Sequence, residues 1–165
     1  MSRRWALFER VPAPDVDHRE RDQMVRWRVM QTPWFGIAVH RINSPDDARP
    51  PHTHPWPFVS LVVRGGYDEK VERHCRNRKS GLIRSSERTR RAGSVHLVRT
   101  IDAHTITTLR RSPTWTLVLV GRRRPEPSWG YWDDYQFTPW DEHPSAERFA
   151  AALAARNPTE TRTST

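Results

Sequence analysis

Two histidines separated by one residue, His52 and His54, sit in the run Pro51-His52-Thr53-His54-Pro55-Trp56. An apolar stretch, Phe58-Val59-Ser60-Leu61-Val62-Val63, and then a Gly65-Gly66 pair follow them. In an extended chain, positions i and i+2 share a face, so the two imidazoles can converge on one point. Neutral imidazoles that converge are ligands for Zn, Fe, Ni or Cu. The pair alone is a weak signal, because a metal centre needs a third and a fourth partner. Surface and strand-end histidines share this spacing without holding an ion. The chemistry therefore turns on a third imidazole.

Two candidates follow. His104 comes after the short turn Thr100-Ile101-Asp102-Ala103 and opens a strand of β-branched residues, His104 to Leu109. In a closed barrel, residues that open neighbouring strands meet at the same end. His96 lies in the middle of Gly93 to Arg99 and faces away from Val95 and Leu97. His104 is the favoured third ligand and His96 the second choice.

The elements that must position these residues read as strands. Arg26 to Gln31 alternates, Trp34 to Ile42 is a second run, and the turn-rich 43–51 is a loop that delivers the chain to His52. Gly65-Gly66 is expected to reverse the chain, so that Tyr67 to His74 pairs back on the strand before it. Residues 75–82 form a hairpin tip, a return strand starts at Leu82, and Arg88 to Arg91 is a loop. Ser112-Pro113 turns the chain again before Trp115 to Gly121, the strongest strand signal in the protein. Around nine short strands at regular spacing mean a sandwich or a barrel. The aromatic-dense segment Trp129 to Trp140 reads as a hydrophobic lid over one end. Pro144 to Arg156 is Ala-rich and reads as a short C-terminal α-helix with Ser145 at its N-cap. The expected division is an arm over 1–25, the β-barrel over 26–143, the helix over 144–156 and a disordered polar tail over 157–165.

At 165 residues the chain suits one domain with a usable core. No stretch approaches the ~20 apolar residues of a membrane span. The N-terminus lacks the apolar middle of a signal peptide, so a cytoplasmic location is expected. Cys75 is the single cysteine, which excludes an internal disulfide; it reads as a bystander. The net charge of +9 raises the question of a polyanion partner. The arginines are scattered through loops and turns, so only weak, nonspecific adhesion to nucleic acid is expected.

The chain resembles the cupins, small jelly-roll barrels with two sequence motifs. The first motif is HxH, three or four residues, Glu, six residues, Gly. Here His52-Thr53-His54, three residues, Phe58, six residues and Gly65 keep the frame, with Phe58 where the glutamate would stand. In the second, Gly93 and His104 keep the spacing of the leading Gly and the His, but the Pro-x-Gly and the closing Asn are missing. The resemblance covers roughly residues 34–121 and implies an all-β, cupin-type double-stranded β-helix. A set of three histidines without the carboxylate is similar to that of thiol dioxygenases, cupins that bind Fe(II).

The resemblance implies a metal site of His52, His54 and His104 for a divalent transition metal: Fe(II) foremost, with Zn, Ni or Mn as alternatives. Tyr67 and His96 are the candidate catalytic groups, Tyr67 as an acid or hydrogen-bond donor. Trp56, Phe58, Ser60 and Trp115 are the candidate substrate pocket. Asp68, Glu69 and Glu72 are the alternatives to the missing carboxylate, but all three are expected as exposed charges on an edge strand. The leading function is a metal-dependent small-molecule enzyme with oxygenase-like chemistry. The alternatives are a metal-free cupin that binds a sugar or another small ligand, as an epimerase-like protein or a sensor, and a basic nucleic-acid accessory protein. A homodimer is plausible by the same resemblance.

Overall fold

The computed structural model describes residues 8–12, 22–46, 49–74, 82–124, 129–133 and 136–144. Among the described residues nine strands follow in order: β1 (Phe8–Pro12), β2 (Asp22–Gln31), β3 (Gly36–Ile42), β4 (Phe58–His74), β5 (Leu82–Arg91), β6 (Val95–Val98), β7 (Asp102–Val120), β8 (Gly130–Asp133) and β9 (Gln136–Pro139). The larger sheet runs β1-β2-β3-β7-β4-β5 with β6 also paired to β4, and β8 pairs β9. All pairings are antiparallel. Of the sandwich or barrel that the strand spacing allows, this is the jelly-roll barrel that the resemblance implies. Cys75, most of the expected C-terminal helix and the tail over 157–165 lie outside the described residues.

Two long strands make the barrel. β4 and β7 span 17 and 19 residues and pair along almost their whole length, from Phe58↔Val120 to Arg73↔Asp102. Each supplies an element to both walls. The first half of β4 also pairs β6, and its second half pairs β5. The reversal expected at Gly65-Gly66 does not occur. The chain bends there and continues as one strand, with Gly65 at φ 87° and the ladder slipping register on either side. A Cβ on Gly65 would sit 2.5 Å from Oγ1 of Thr114, so only glycine lets β7 approach this closely. Likewise β7 runs through Ser112-Pro113 instead of turning, and β5 includes Arg88 to Arg91, expected as a loop. Long bent strands wrap two faces at once, so local turn residues become bulges rather than reversals. The sheet also begins earlier than the sequence suggests, since β1 and the start of β2 fall within 1–25.

Alternation sets the faces. In β7, Thr114, Thr116 and Val118 are buried while Leu117 and Leu119 are 40% and 49% exposed. Trp115 therefore turns outward with the leucines and stacks on Trp27 at 5.5 Å between ring centres. Ile42, Val62 and Tyr67 form the buried cluster, with Met24, Ile106 and Leu109 packed on it. Among the described residues, no helix is long and apolar enough to cross a membrane.

Candidate metal centre

His52 is locked in place by its backbone. Its N–H donates to the His104 carbonyl at 3.0 Å and its carbonyl accepts from the His104 N–H at 2.9 Å. The same residue bridges to Tyr131 on its other side. The segment carrying the HxH pair is thus held between β7 and the β8–β9 hairpin, with Thr53 and Pro51 bonding Gly130 and Trp132 through the backbone. This pairing brings His52 and His54 up to the start of β7, where His104 stands.

The three imidazoles each offer a nitrogen within 4.8 Å of the others. Nε2 of His54 and Nε2 of His104 are 2.9 Å apart. Two nitrogens bound at right angles to one ion, each at about 2.1 Å, would be about 3 Å apart. Nδ1 of His52 is buried, and the Pro50 backbone is within hydrogen-bonding reach of the ring. Burial, above all, holds the pKa values of His52 and His54 well below the usual histidine value. The fields of His104 and Arg49 at His52, and of His104, His52 and Arg26 at His54, add to it. Both rings are therefore neutral near pH 7, the form a metal requires. The donor set fits a divalent transition metal.

Behind His104 lies a carboxylate. Oε2 of Glu69 is 3.3 Å from Nδ1 of His104, and Oε1 accepts from Nε of Arg90 at 2.6 Å. Glu69 is 1% exposed, so the expectation of an exposed edge charge fails for it. The reason is that β4 is no edge: β5 and β7 flank it on both sides. Glu69 opposes Arg88 on β5 and Ile106 on β7, so Arg90 and His104 are its diagonal neighbours. Burial pushes its carboxyl up, but the hydrogen bond to His104 and the fields of His104 and Arg90 outweigh this and hold it at about 2. An ionised Glu69 orients His104 by accepting Nδ1–H, which leaves Nε2 to face the other histidines. Glu72 is also buried, beside Lys70 at 2.6 Å, whereas Asp68 is partly exposed and bonds Thr89 and Arg110.

A cavity of about 600 Å³ opens on the three histidines. Of the residues read as a pocket, Trp56, Phe58 and Ser60 line it, together with Tyr67, while Trp115 lies outside on the outer face. The ring of Phe58 packs edge-on against His54 at 5.1 Å. His96 does not join the three histidines. It opposes Ser60 in the β4–β6 ladder, and its Nε2 is 3.1 Å from the Tyr67 hydroxyl. Burial lowers the His96 pKa to about 4 and, with Glu69 nearby, raises that of Tyr67 well above the usual phenol value. Both stay neutral near pH 7. Three lining residues that the sequence reading passed over are Arg26, Arg28 and His40. The alternation of β2 was the signal for the arginines: Met24, Arg26 and Arg28 share its inner face.

The aromatic segment packs beside this end of the barrel. Tyr131 is buried with its ring 6.0 Å from His52 and 4.2 Å from His143, and Trp129 stacks on Trp140 at 5.2 Å.

No family model and no curated protein matches the chain. Solved structures do. A structure described as a putative mannose-6-phosphate isomerase from Ralstonia eutropha is 18% identical, with a TM-score of 0.46 over 73% of this chain and 99% of that one. An RmlC-like cupin from Shewanella frigidimarina is 14% identical, with a TM-score of 0.44 over 63% and 80%. The DMSP lyase DddQ from Ruegeria pomeroyi is 15% identical, with a TM-score of 0.48 over 71% and 55%. The chain itself is an antiparallel β fold in which two long strands pair along almost their whole length and three histidines gather at one end.

Proposed function

We propose that this protein is a metal-dependent enzyme acting on a small molecule, with oxygenase-like chemistry. His52, His54 and His104 would hold a divalent transition metal, Fe(II) foremost. The observation that carries this reading is the meeting of three imidazoles on the wall of a cavity large enough for a small substrate. Such an ion, when bound by three protein ligands, supplies Lewis acidity and open positions for substrate and O₂.

The chain's own groups support the same reading. Glu69 fixes the tautomer of His104. Phe58 takes the place of a first-motif carboxylate, so the ligand set carries no charge of its own. Its ring also packs edge-on against His54. Tyr67 reaches the cavity with a protonated hydroxyl, held between Ser60 and His96, and acts as a hydrogen-bond donor or acid toward substrate.

One observation favours a second reading, a metal-free cupin that binds a small ligand. The 2.9 Å contact between His54 and His104 is also a satisfactory hydrogen bond between two imidazoles. Elemental analysis separates the two. Stoichiometric metal in the purified protein, lost in His52→Ala and His104→Ala but kept in His96→Ala, supports the enzyme. A wild-type protein that takes up no Fe(II), Zn(II), Ni(II) or Mn(II) on reconstitution sinks it.

A further inference from the structure

A second cavity lies behind His104, on the Glu69 side. It measures about 70 Å³, and of its lining residues only His104 also lines the cavity of the three histidines. One wall comes from β5. Alternation puts Arg84, Ser86, Arg88 and Arg90 on one face of that strand, and all four line the cavity. Across the ladder Arg84 stands opposite Arg73, Ser86 opposite Val71 and Arg88 opposite Glu69, and these β4 residues line it too.

Charge in this lining does not balance. Among the described residues it holds four guanidinium groups, of Arg73, Arg84, Arg88 and Arg90, against two carboxylates, of Glu69 and Asp102. Both carboxylates are taken. Arg90 bonds Oε1 of Glu69 at 2.6 Å, and Arg73 bonds Oδ1 of Asp102 through Nε and Nη2 at 2.9 and 2.7 Å. Among the described residues, the side chains of Arg84 and Arg88 make neither a hydrogen bond nor an ion pair. Arg88 opposes Glu69 in the ladder, yet the oxygens of Glu69 go to Arg90 and His104. Arg84 directly opposes Arg73, and a like-charge pair in that position costs stability unless an anion lies near it. Arg84 and Arg88 are both exposed, so an anion in solution reaches them.

We propose that this cavity is a binding site for a phosphoryl group, a doubly charged tetrahedral oxyanion held by Arg84 and Arg88 together with the hydroxyl of Ser86, which stands between them on the strand. Two unpaired guanidinium groups match the roughly two negative charges of a phosphate monoester near pH 7. Each also offers a planar fork of donors suited to phosphoryl oxygens. At about 70 Å³ the cavity has room for one such group and leaves the body of a larger molecule outside. The inference does not rest on the metal reading, since neither arginine lines the cavity of the three histidines.

Calorimetry in a phosphate-free buffer tests this with inorganic phosphate, glycerol phosphate and the singly charged diester dimethyl phosphate. Inorganic phosphate is expected to bind about tenfold more tightly than dimethyl phosphate, or better. Arg84→Gln and Arg88→Gln should each weaken phosphate binding by about tenfold or more, and the lysine variants should recover part of it. Arg41→Gln, at an exposed arginine on β3, should leave it unchanged. Urea unfolding gives a second reading. Phosphate should raise the midpoint of the wild type and not that of the double variant Arg84→Gln/Arg88→Gln. Without phosphate, Arg84→Gln should be at least as stable as the wild type, because it removes the like-charge pair with Arg73. Glycerol phosphate that binds as tightly as phosphate identifies the end of a small phosphorylated molecule as the ligand; binding of phosphate alone identifies the free anion. No saturable phosphate binding, equal affinity for phosphate and dimethyl phosphate, an equal loss in Arg41→Gln, or full affinity in both arginine variants overturns the proposal.

Discussion

Glu69 on β4 and His104 on β7 meet across the ladder, with 3.3 Å between carboxylate Oε2 and imidazole Nδ1, and both side chains are buried. The contact ties the third imidazole to a buried charge, which Arg90 balances from β5 at 2.6 Å. A glutamine at 69 keeps the shape and removes the charge. Glu69→Gln is expected to weaken Zn(II) or Co(II) binding about 10–100-fold, as loss of a carboxylate behind a ligating histidine does. It should also cost about 3 kcal/mol of stability, because the Arg90 guanidinium loses its buried counter-charge. Chelator competition and urea unfolding measure the two effects. Unchanged metal affinity would remove Glu69 from the site.

Phe58→Glu restores a carboxylate to the position the first cupin motif gives it. Without metal, the new charge would lie partly buried against the rings of His54 and His104. The metal-free variant should be less stable by a few kcal/mol. With Zn(II) it should recover most of that loss, through preferential binding to the folded state. Thermal melts with and without Zn(II) would show this, and a variant equally destabilised in both would place residue 58 outside the coordination sphere.

The buried histidines set an acid limit. In the unfolded chain, His52, His54 and His96 take up protons near pH 6.5. In the folded protein they resist, with His96 lowered to about 4 by burial and His52 and His54 also well below their usual value. The unfolded state therefore binds more protons between these values, and stability falls as pH drops from about 6.5 toward about 4. Glu69 adds a second loss lower down, since its stabilising ionised form is given up only between its usual value of 4.5 and about 2. Urea midpoints of the metal-free protein, taken from about pH 7.5 down to about pH 4, should decline steadily. A flat profile would mean that these rings are not held neutral by the fold.

Gly65 is where β4 bends from one wall to the other. A side chain there meets Thr114 Oγ1 at 2.5 Å and the Arg111 carbonyl at 3.0 Å, on a backbone at φ 87°. Gly65→Ala is expected to cost at least about 2 kcal/mol, from the backbone conformation and the contact together. Gly93→Ala, with a similar φ but nothing within 4 Å, carries only the backbone part and should cost less. Equal losses in urea unfolding would show that the approach of β7 to the bend is not tight.

Much of the site was legible in the chain. The HxH spacing, the turn before His104 and the alternation around His96 follow from the period of an extended strand, which is local. Glu69 was legible only in part: Tyr67, Glu69 and Val71 share a strand face, so a carboxylate on an otherwise apolar face was visible. Its role was not, because Arg90 and His104 lie 21 and 35 residues away and become neighbours only through pairing. Trp115 shows the opposite case. Its type suited a pocket, but one step of alternation beside Thr114 and Thr116 sends it to the outer face, onto Trp27.

The amino-acid order by itself determined that this would be a β protein with histidines able to gather at strand starts, since periodicity and turn chemistry act over a few residues. Only the tertiary structure decided that Gly65-Gly66 bends a strand instead of ending it, that β4 is flanked on both sides, that Glu69 is buried and that Arg26 lines the cavity. Those outcomes depend on which strand lies beside which. That choice is made by packing between segments far apart in the chain, and no local pattern encodes it.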